Sequence, residues 1–197
     1  MPSRPLLLAA FQPELAGLEA APPAGWRVAT TGVGAIAAAA ATARLLAEGR
    51  PGRVLLLGTC GAYDGRLLVG DLLAASPVLV TSLDEVEGRA FRPQIERTRW
   101  DATWALPESL PLHAVAVTPA ITSTEDGARR LATLAAAEHL EAAGVFAACH
   151  SAGVPVAAAL AVANRCGPGA NAEWRANHAR VSRLLVAAIG PVLERTP

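Results

Sequence analysis

Lysine is missing from this 197-residue chain: every one of its 17 basic side chains is arginine, and 17 carboxylates balance them to a net charge of zero. Heavy alanine use accompanies that absence, which points to coding bias rather than mechanism. Neutrality without a basic run excludes a nucleic-acid partner held by phosphate neutralisation. Aromatic residues make up only 4%, too few for a base-stacking platform. Cysteine is limited to Cys60, Cys149 and Cys166, an odd and scattered set with no CxxC pair. Such usage fits free thiols in a reducing compartment, not a disulfide frame or a zinc site. The four histidines lack metal-ligand spacing, so neither a metal nor an organic cofactor is expected. No apolar run demands a membrane span, because the alanine-rich stretch from Ala35 carries Arg44 and Glu48. The N-terminal apolar run is short and is followed at once by Gln12, Pro13 and Glu14. It reads as a buried first strand rather than a signal peptide. A cytoplasmic location is the expectation.

What the chain does have is 52% hydrophobic residues, enough for a compact, well-packed core. Apolar strand patterns alternate with helical ones, and no repeat or linker interrupts them. The expectation is one α/β domain over residues 1–197. Strands are expected at Leu6–Phe11, Arg27–Thr31, Arg53–Gly61, Leu112–Pro119 and Val154–Asn164. Helices are expected at Ala35–Glu48, Glu125–Ala137, Glu138–Ala152 and Ala172–Leu193, with a helical turn or two in Pro13–Ala20. Asp71–Ser82 is strand-like but broken by Pro77, which predicts an edge or a bend. Loops, short strands and partner contacts are expected between Asp84 and Pro111.

Ligands of open α/β sheets collect at the carboxyl ends of strands. The first strand is followed by Glu14, the second by Gly32-Val33-Gly34, the third by Thr59-Cys60-Gly61, and the late strand ends in Asn164. Small residues and backbone amides admit close approach of a small molecule there. Each has an ordinary reading as well. Glu14 suits a first helical turn, Asn164 can cap the next turn, and the glycines can serve packing. The TGVG stretch lacks the third glycine of a dinucleotide fingerprint, since Ala37 stands there. Cys60 lies among apolar neighbours and reads as an inert thiol. Glu141 is harder to dismiss. In the expected helix it shares a stripe with Val145, Ala148 and Ala152, where an unpaired carboxylate is costly. It needs a partner, whether backbone amides, an arginine or a ligand. His139 falls on another face and is expected at the surface.

Taken together, AAFQPEL with Glu14, TGVGAIAAAAAT, GTCGAYDGRLLVGD and HLEAAGVFAACHSAGVPVAAALAVAN resemble the nucleoside phosphorylase/nucleosidase superfamily, in its nucleosidase branch. The resemblance covers most of the chain. It implies a three-layer sandwich with a central mixed, twisted β-sheet flanked by helices. It implies Glu14 as the water-activating base, Glu141 as acceptor from ribose hydroxyls, and Leu140, Gly34, Thr59, Gly61, Ile121 and Thr122 as substrate-binding residues. For Ile121 and Thr122 the alternative is plain helix capping by Ser123 or Thr124. Related phosphorylases carry an arginine shortly before the GTCG-type turn, whereas Leu56 and Leu57 stand here, which favours hydrolysis. Asn164 replaces the aspartate of adenine-releasing nucleosidases. Its amide suits a 6-oxopurine leaving group. Followed by a glycine loop and Trp174, it is most like the futalosine hydrolases, which release hypoxanthine from futalosine in menaquinone biosynthesis. The alternatives are a methylthioadenosine/adenosylhomocysteine nucleosidase and a catalytically silent nucleoside-binding homologue. The implied partners are a small purine nucleoside, water and further copies of the chain in a homodimer or larger homo-oligomer. Asp84–Trp104 is the candidate for reaching a neighbour's pocket.

Overall fold

The computed structural model describes residues 4–94 and 97–194. Strands β1 (Leu6–Ala9), β3 (Val54–Ala62) and β8 (Val156–Arg165) form the middle of a mixed sheet. They are covered on both faces, which is why they read as continuous apolar runs rather than alternating ones. Alternation survives in what each side chain meets. Leu6, Leu8, Val54, Leu56, Val156 and Ala158 enter one core; Leu7, Leu55, Leu57, Ala157 and Ala159 enter the other. Helices α1 (Ala35–Gly49) and α4 (Ala142–Ala152) cover the first face. The long α5 (Ala170–Glu194) covers the second through Val181, Leu185, Ile189 and Leu193. This is the expected sandwich.

Strand β2 (Arg27–Thr30) pairs parallel to β1 at the outer edge, and β1 pairs parallel to β3. Beyond β3 the sheet curls into a closed ring. β3 pairs parallel with β8, β8 antiparallel with β4 (Leu72–Val80), and β4 parallel with β6 (Leu112–Val117). β6 then pairs parallel with β7 (Ala137–Glu138), and β7 returns antiparallel to β3. β4 is therefore no edge. It is flanked by β6, β8 and β5 (Arg99–Trp100), and Pro77 is tolerated because the β4–β6 register shifts between Ala75 and Val78. Between Asp84 and Pro111 the chain is largely irregular, as expected, apart from β5 and the end of the one-turn α2 (Leu83–Val86). Residues 95 and 96 of that segment lie outside the described residues.

Two expected helices are shorter than their alanine content suggests. Helix α3 ends at Leu131, having begun at Glu125 behind a Thr124 cap whose Oγ1 accepts the Gly127 amide. The chain then leaves the helix because β6 claims its backbone: Ala136 N–H donates to Ala114 C=O and His139 N–H to Ala116 C=O. Sheet pairing overrides local propensity here. Glu138 thus sits on a strand, and Glu141 is the N-cap residue of α4, not a mid-helix residue. The stripe with Val145, Ala148 and Ala152 is not the setting of Glu141.

Candidate active site

A cavity of about 310 Å³ opens at the carboxyl ends of β1, β3 and β8, within the range of small-molecule sites. Glu14, Thr59, Gly61, Ile121, Leu140, Glu141 and Asn164 all line it, so seven residues from five separated stretches of sequence meet there. Gly34 and Thr122, also expected to bind substrate, do not line the cavity. Each instead donates hydrogen bonds to a carboxylate that does.

Glu14 is delivered by a 3₁₀ turn, Gln12–Leu15, that follows β1 directly. Pro13 fits its start, and the left-handed Ala16 (φ 48°) ends it. The carboxylate is buried at 3% exposure. Its Oε1 accepts from Thr59 N–H at 2.8 Å and Thr59 O–H at 2.7 Å, and its Oε2 from Ala10 N–H at 3.2 Å. Trp174 Nε1–H donates in turn to Thr59 Oγ1 at 3.0 Å, which fixes the hydroxyl as a donor toward Glu14. Burial pushes the Glu14 carboxyl above its ordinary range, and nearby Glu141 pushes the same way; His139 and the Thr59 hydrogen bonds pull it back. A carboxylate so placed is held by donors yet made more basic, the condition of a general base.

Glu141 finds its partner at the start of α1. Its Oε1 accepts the Gly34 amide at 2.8 Å, and Gly34 adopts φ +94°, a conformation open to glycine. The contact exists because α4 and α1 cross closely at Gly144, where a Cβ would run into the Ala35 carbonyl oxygen. The other carboxylate oxygen lies 3.2 Å from His139 Nδ1. His139 is buried, not at the surface as the helical reading implied. Its Nδ1 lies 3.1 Å from the amides of both Glu141 and Ala142, and its Nε2 lies over Gly58, where a Cβ would approach to 2.5 Å. No sequence pattern singled it out, since the decisive bond, to the α4 amides, depends on where that helix begins.

Asn164 is aimed by an irregularity. Along β3 and β8 the register runs evenly to Cys60–Val162, then shifts so that Gly61 faces Asn164. Gly61 makes room: a Cβ there would lie 3.0 Å from Asn164 Nδ2 and 2.8 Å from Cys166 Sγ. Trp174 and Phe11 close one wall, 5.9 Å apart by ring centroid, with Trp174 stacked on His178. The thiols of Cys60 and Cys166 are pushed up by burial, and that of Cys149 up to about 12, as suits inert core thiols. Leu56 and Leu57 are fully buried in opposite cores, and no arginine among the described residues lines the cavity. No helix among the described residues is long and apolar enough to cross a membrane.

Residues 26–195 match the family model of the phosphorylase superfamily. The chain belongs to that superfamily. It is 32% identical over 191 residues to a futalosine hydrolase of Streptomyces coelicolor, an alignment spanning 87% of this chain and 81% of the relative. The fold is shared with a 5′-methylthioadenosine/S-adenosylhomocysteine nucleosidase of Helicobacter pylori, at TM-score 0.87 and 15% identity over 100% of both chains. It is also shared with a futalosine hydrolase mutant of the same organism, at TM-score 0.83 and 17% identity over 98% of this chain and 99% of that one.

Proposed function

We propose that this chain hydrolyses the ribosyl C–N bond of a 6-oxopurine nucleoside, futalosine in the first instance, releasing hypoxanthine. One observation carries the reading: Glu14, Glu141 and Asn164, far apart in sequence, line a single nucleoside-sized cavity. Cleavage passes through an oxocarbenium-like sugar that needs a nucleophile on one face and a stabilised leaving base. Glu14, which lines the cavity, takes a proton from the attacking water. Glu141, acceptor-only when ionised, receives ribose hydroxyls. Asn164 donates to the departing base, stabilising its charge without a full proton transfer. The futalosine hydrolase relative supports the substrate, and a cavity lined by no arginine among the described residues supports water over phosphate. Assembly as a homo-oligomer, with the 84–104 segment and its exposed Phe91 turned toward a neighbour, belongs to the same reading.

The test is base release from futalosine, inosine and methylthioadenosine, in buffer with and without phosphate. Hypoxanthine from futalosine at a rate indifferent to phosphate is the expected outcome. Adenine release would move the chain to the methylthioadenosine/adenosylhomocysteine nucleosidases. Strict phosphate dependence would make it a phosphorylase, and no release at all would favour a silent nucleoside-binding homologue.

A further inference from the structure

The cavity also holds an imidazole with no role in the steps above. His139 is 3% exposed and lines the cavity. Its two ring nitrogens have different surroundings. The Glu141 and Ala142 amides both donate to Nδ1, each at 3.1 Å. A nitrogen that accepts two N–H groups carries no proton, so the ring proton is on Nε2. Nε2 makes no hydrogen bond among the described residues, and it is not one of the sealed, partnerless polar atoms of the core. A donor on a buried side chain is therefore left open to the cavity, and leaving it unpaired is costly unless water or a ligand accepts from it.

The place of that donor follows from the β3 backbone. A Cβ on Gly58 would lie 2.5 Å from His139 Nε2 and 3.3 Å from Leu160 Cδ2, so the tip of the ring rests on the bare Cα of Gly58. The next residue, Thr59, donates its amide to Glu14 Oε1 at 2.8 Å. Imidazole and base thus meet the Cα and the N–H of one peptide unit, and His139 acts electrostatically on the Glu14 carboxyl. On its other side the ring approaches Glu141, with Nδ1 3.2 Å from Oε2. His139 stands between the carboxylate read as the base and the one read as the sugar acceptor. Capping α4 accounts for the Nδ1 contacts alone. It does not account for an open donor next to the residue that anchors Glu14.

An attacking water needs an acceptor for the proton it gives up, a second contact that fixes its oxygen, and a lone pair left for carbon. We propose that His139 is a further catalytic residue, whose Nε2–H donates to the oxygen of the attacking water and holds it against Glu14. The step balances without a proton from His139. One O–H bond of the water breaks as Glu14 takes the proton, and the oxygen forms its bond to C1′. The electron pair of the C1′–N bond leaves with the purine base, and the imidazole keeps its proton throughout. The inference rests on the functional reading above and deepens it at the sugar end of the site.

Two substitutions separate the ring nitrogens. His139→Asn puts a side-chain oxygen near the place of Nδ1, where it can accept the α4 amides, but does not reach the place of Nε2. His139→Gln puts an N–H donor near the place of Nε2 and leaves the cap unfilled. Base release from futalosine, inosine and methylthioadenosine is measured for wild type and both variants, beside their thermal melts. His139→Asn is expected to melt near wild type, with kcat lower by about tenfold, the contribution of one hydrogen bond, and KM unchanged. His139→Gln is expected to melt lower, having lost the cap, yet to keep a kcat close to wild type. The two variants thus exchange places between the melt and the rate, which a purely structural role cannot produce. A wild-type kcat in His139→Asn, or a kcat in His139→Gln as low as or lower than in His139→Asn, makes His139 a cap only; it overturns this inference and leaves the proposed function standing. Should one variant fail to fold, the kcat of the other decides by the same expectation. Wild type that releases no base from any of the three nucleosides, or only with phosphate, overturns both.

Discussion

The two ends of the same central strands are built to opposite rules. At the amino end of β3, Arg53 lies between two indoles, 5.4 Å from the Trp26 ring and 5.0 Å from the Trp104 ring. Trp26 Nε1–H donates to Leu193 C=O and Trp104 Nε1–H to Val54 C=O. Thr103 donates its amide to Val156 C=O and accepts the Val156 amide at 2.7 Å, tying down the start of β8. No carboxylate among the described residues is buried there; Glu14, Glu138 and Glu141 are all at the cavity. At the carboxyl end, those three carboxylates are each held by amides or hydroxyls and line the cavity. One end satisfies its polar groups and spends them on rigidity. The other holds charge in place for something absent from the fold itself, at a cost in stability that an apolar core would not carry.

Substitutions at the two ends should therefore separate activity from stability. The largest effect is expected from Glu14→Gln, which leaves an acceptor for the Thr59 amide but removes the base. Turnover should fall by about 10²–10⁴-fold, the usual contribution of general base catalysis. Stability should move the other way. Because burial raises the folded-state pKa of Glu14 above its ordinary value, this group favours the fold below that ordinary value. That contribution is lost as pH rises through the raised pKa, so at neutral pH the ionised group is a burden and the amide relieves it. Thermal melts at neutral pH should show Glu14→Gln above wild type, with the advantage vanishing in acid. The acid limb of the rate profile should likewise lie above the ordinary carboxylate range, since the base must be ionised to act. A melt that drops in the variant at neutral pH would mean Glu14 is a structural tie.

Glu141→Gln comes next. The amide oxygen can still accept from Gly34, so the melt should hold, while kcat/KM should fall by about tenfold to a hundredfold through loss of charged acceptance from the sugar. A ribose-free probe such as hypoxanthine should bind as before. Equal weakening of base and nucleoside would place Glu141 in the support of the cavity rather than in its contact with the sugar.

How much of this was legible depends on whether a residue's role follows from its own strand or from a neighbour. The buried strands and the polar residues at their ends were readable because doubly covered strands are continuous apolar runs; Glu14 follows β1 closely, and Thr59 and Asn164 lie near the carboxyl ends of β3 and β8. Glu141 was readable as misplaced, though for the wrong reason: the helix it was assigned to starts one residue later. The failure there is physical. Residues 132–141 are rich in alanine and in helix formers, and pairing with β6 and β3, through the Ala136 and His139 amides and the Ala136 carbonyl, extracts them from the helix. With that segment misread, Glu138 and His139 could not be placed, because their roles come from register against Gly61 and from the position of the α4 amides. The β3–β8 shift that aims Asn164 left no mark in the sequence beyond Gly61 itself.

Gly144→Ala probes the link between packing and site. The added methyl meets the Ala35 carbonyl and cannot be accommodated unless α1 and α4 separate, an overpacking cost of about 1–3 kcal/mol. That separation also lengthens the Glu141–Gly34 contact. Stability and sugar binding should therefore fall together, unlike the Glu141→Gln case. A variant that loses stability but keeps its KM would show that the helix crossing and the site are independent.

The smallest effect, and the one that defines the other end of the comparison, is expected from Arg53→Ala. The guanidinium lies within cation–π distance of both Trp26 and Trp104, and its removal leaves the two indoles without it. Each cation–π contact at a partly exposed site contributes about 0.5–1 kcal/mol, so a loss of about 1–2 kcal/mol is expected, read as a lower denaturation midpoint with an unchanged slope. Kinetic constants should not change, because β3 is a rigid strand whose carboxyl end is held separately by β8, β7 and the Thr59–Glu14 bonds. If kcat fell along with the midpoint, the strand would be transmitting strain from one end to the other, and the division between a stability end and a chemical end would fail.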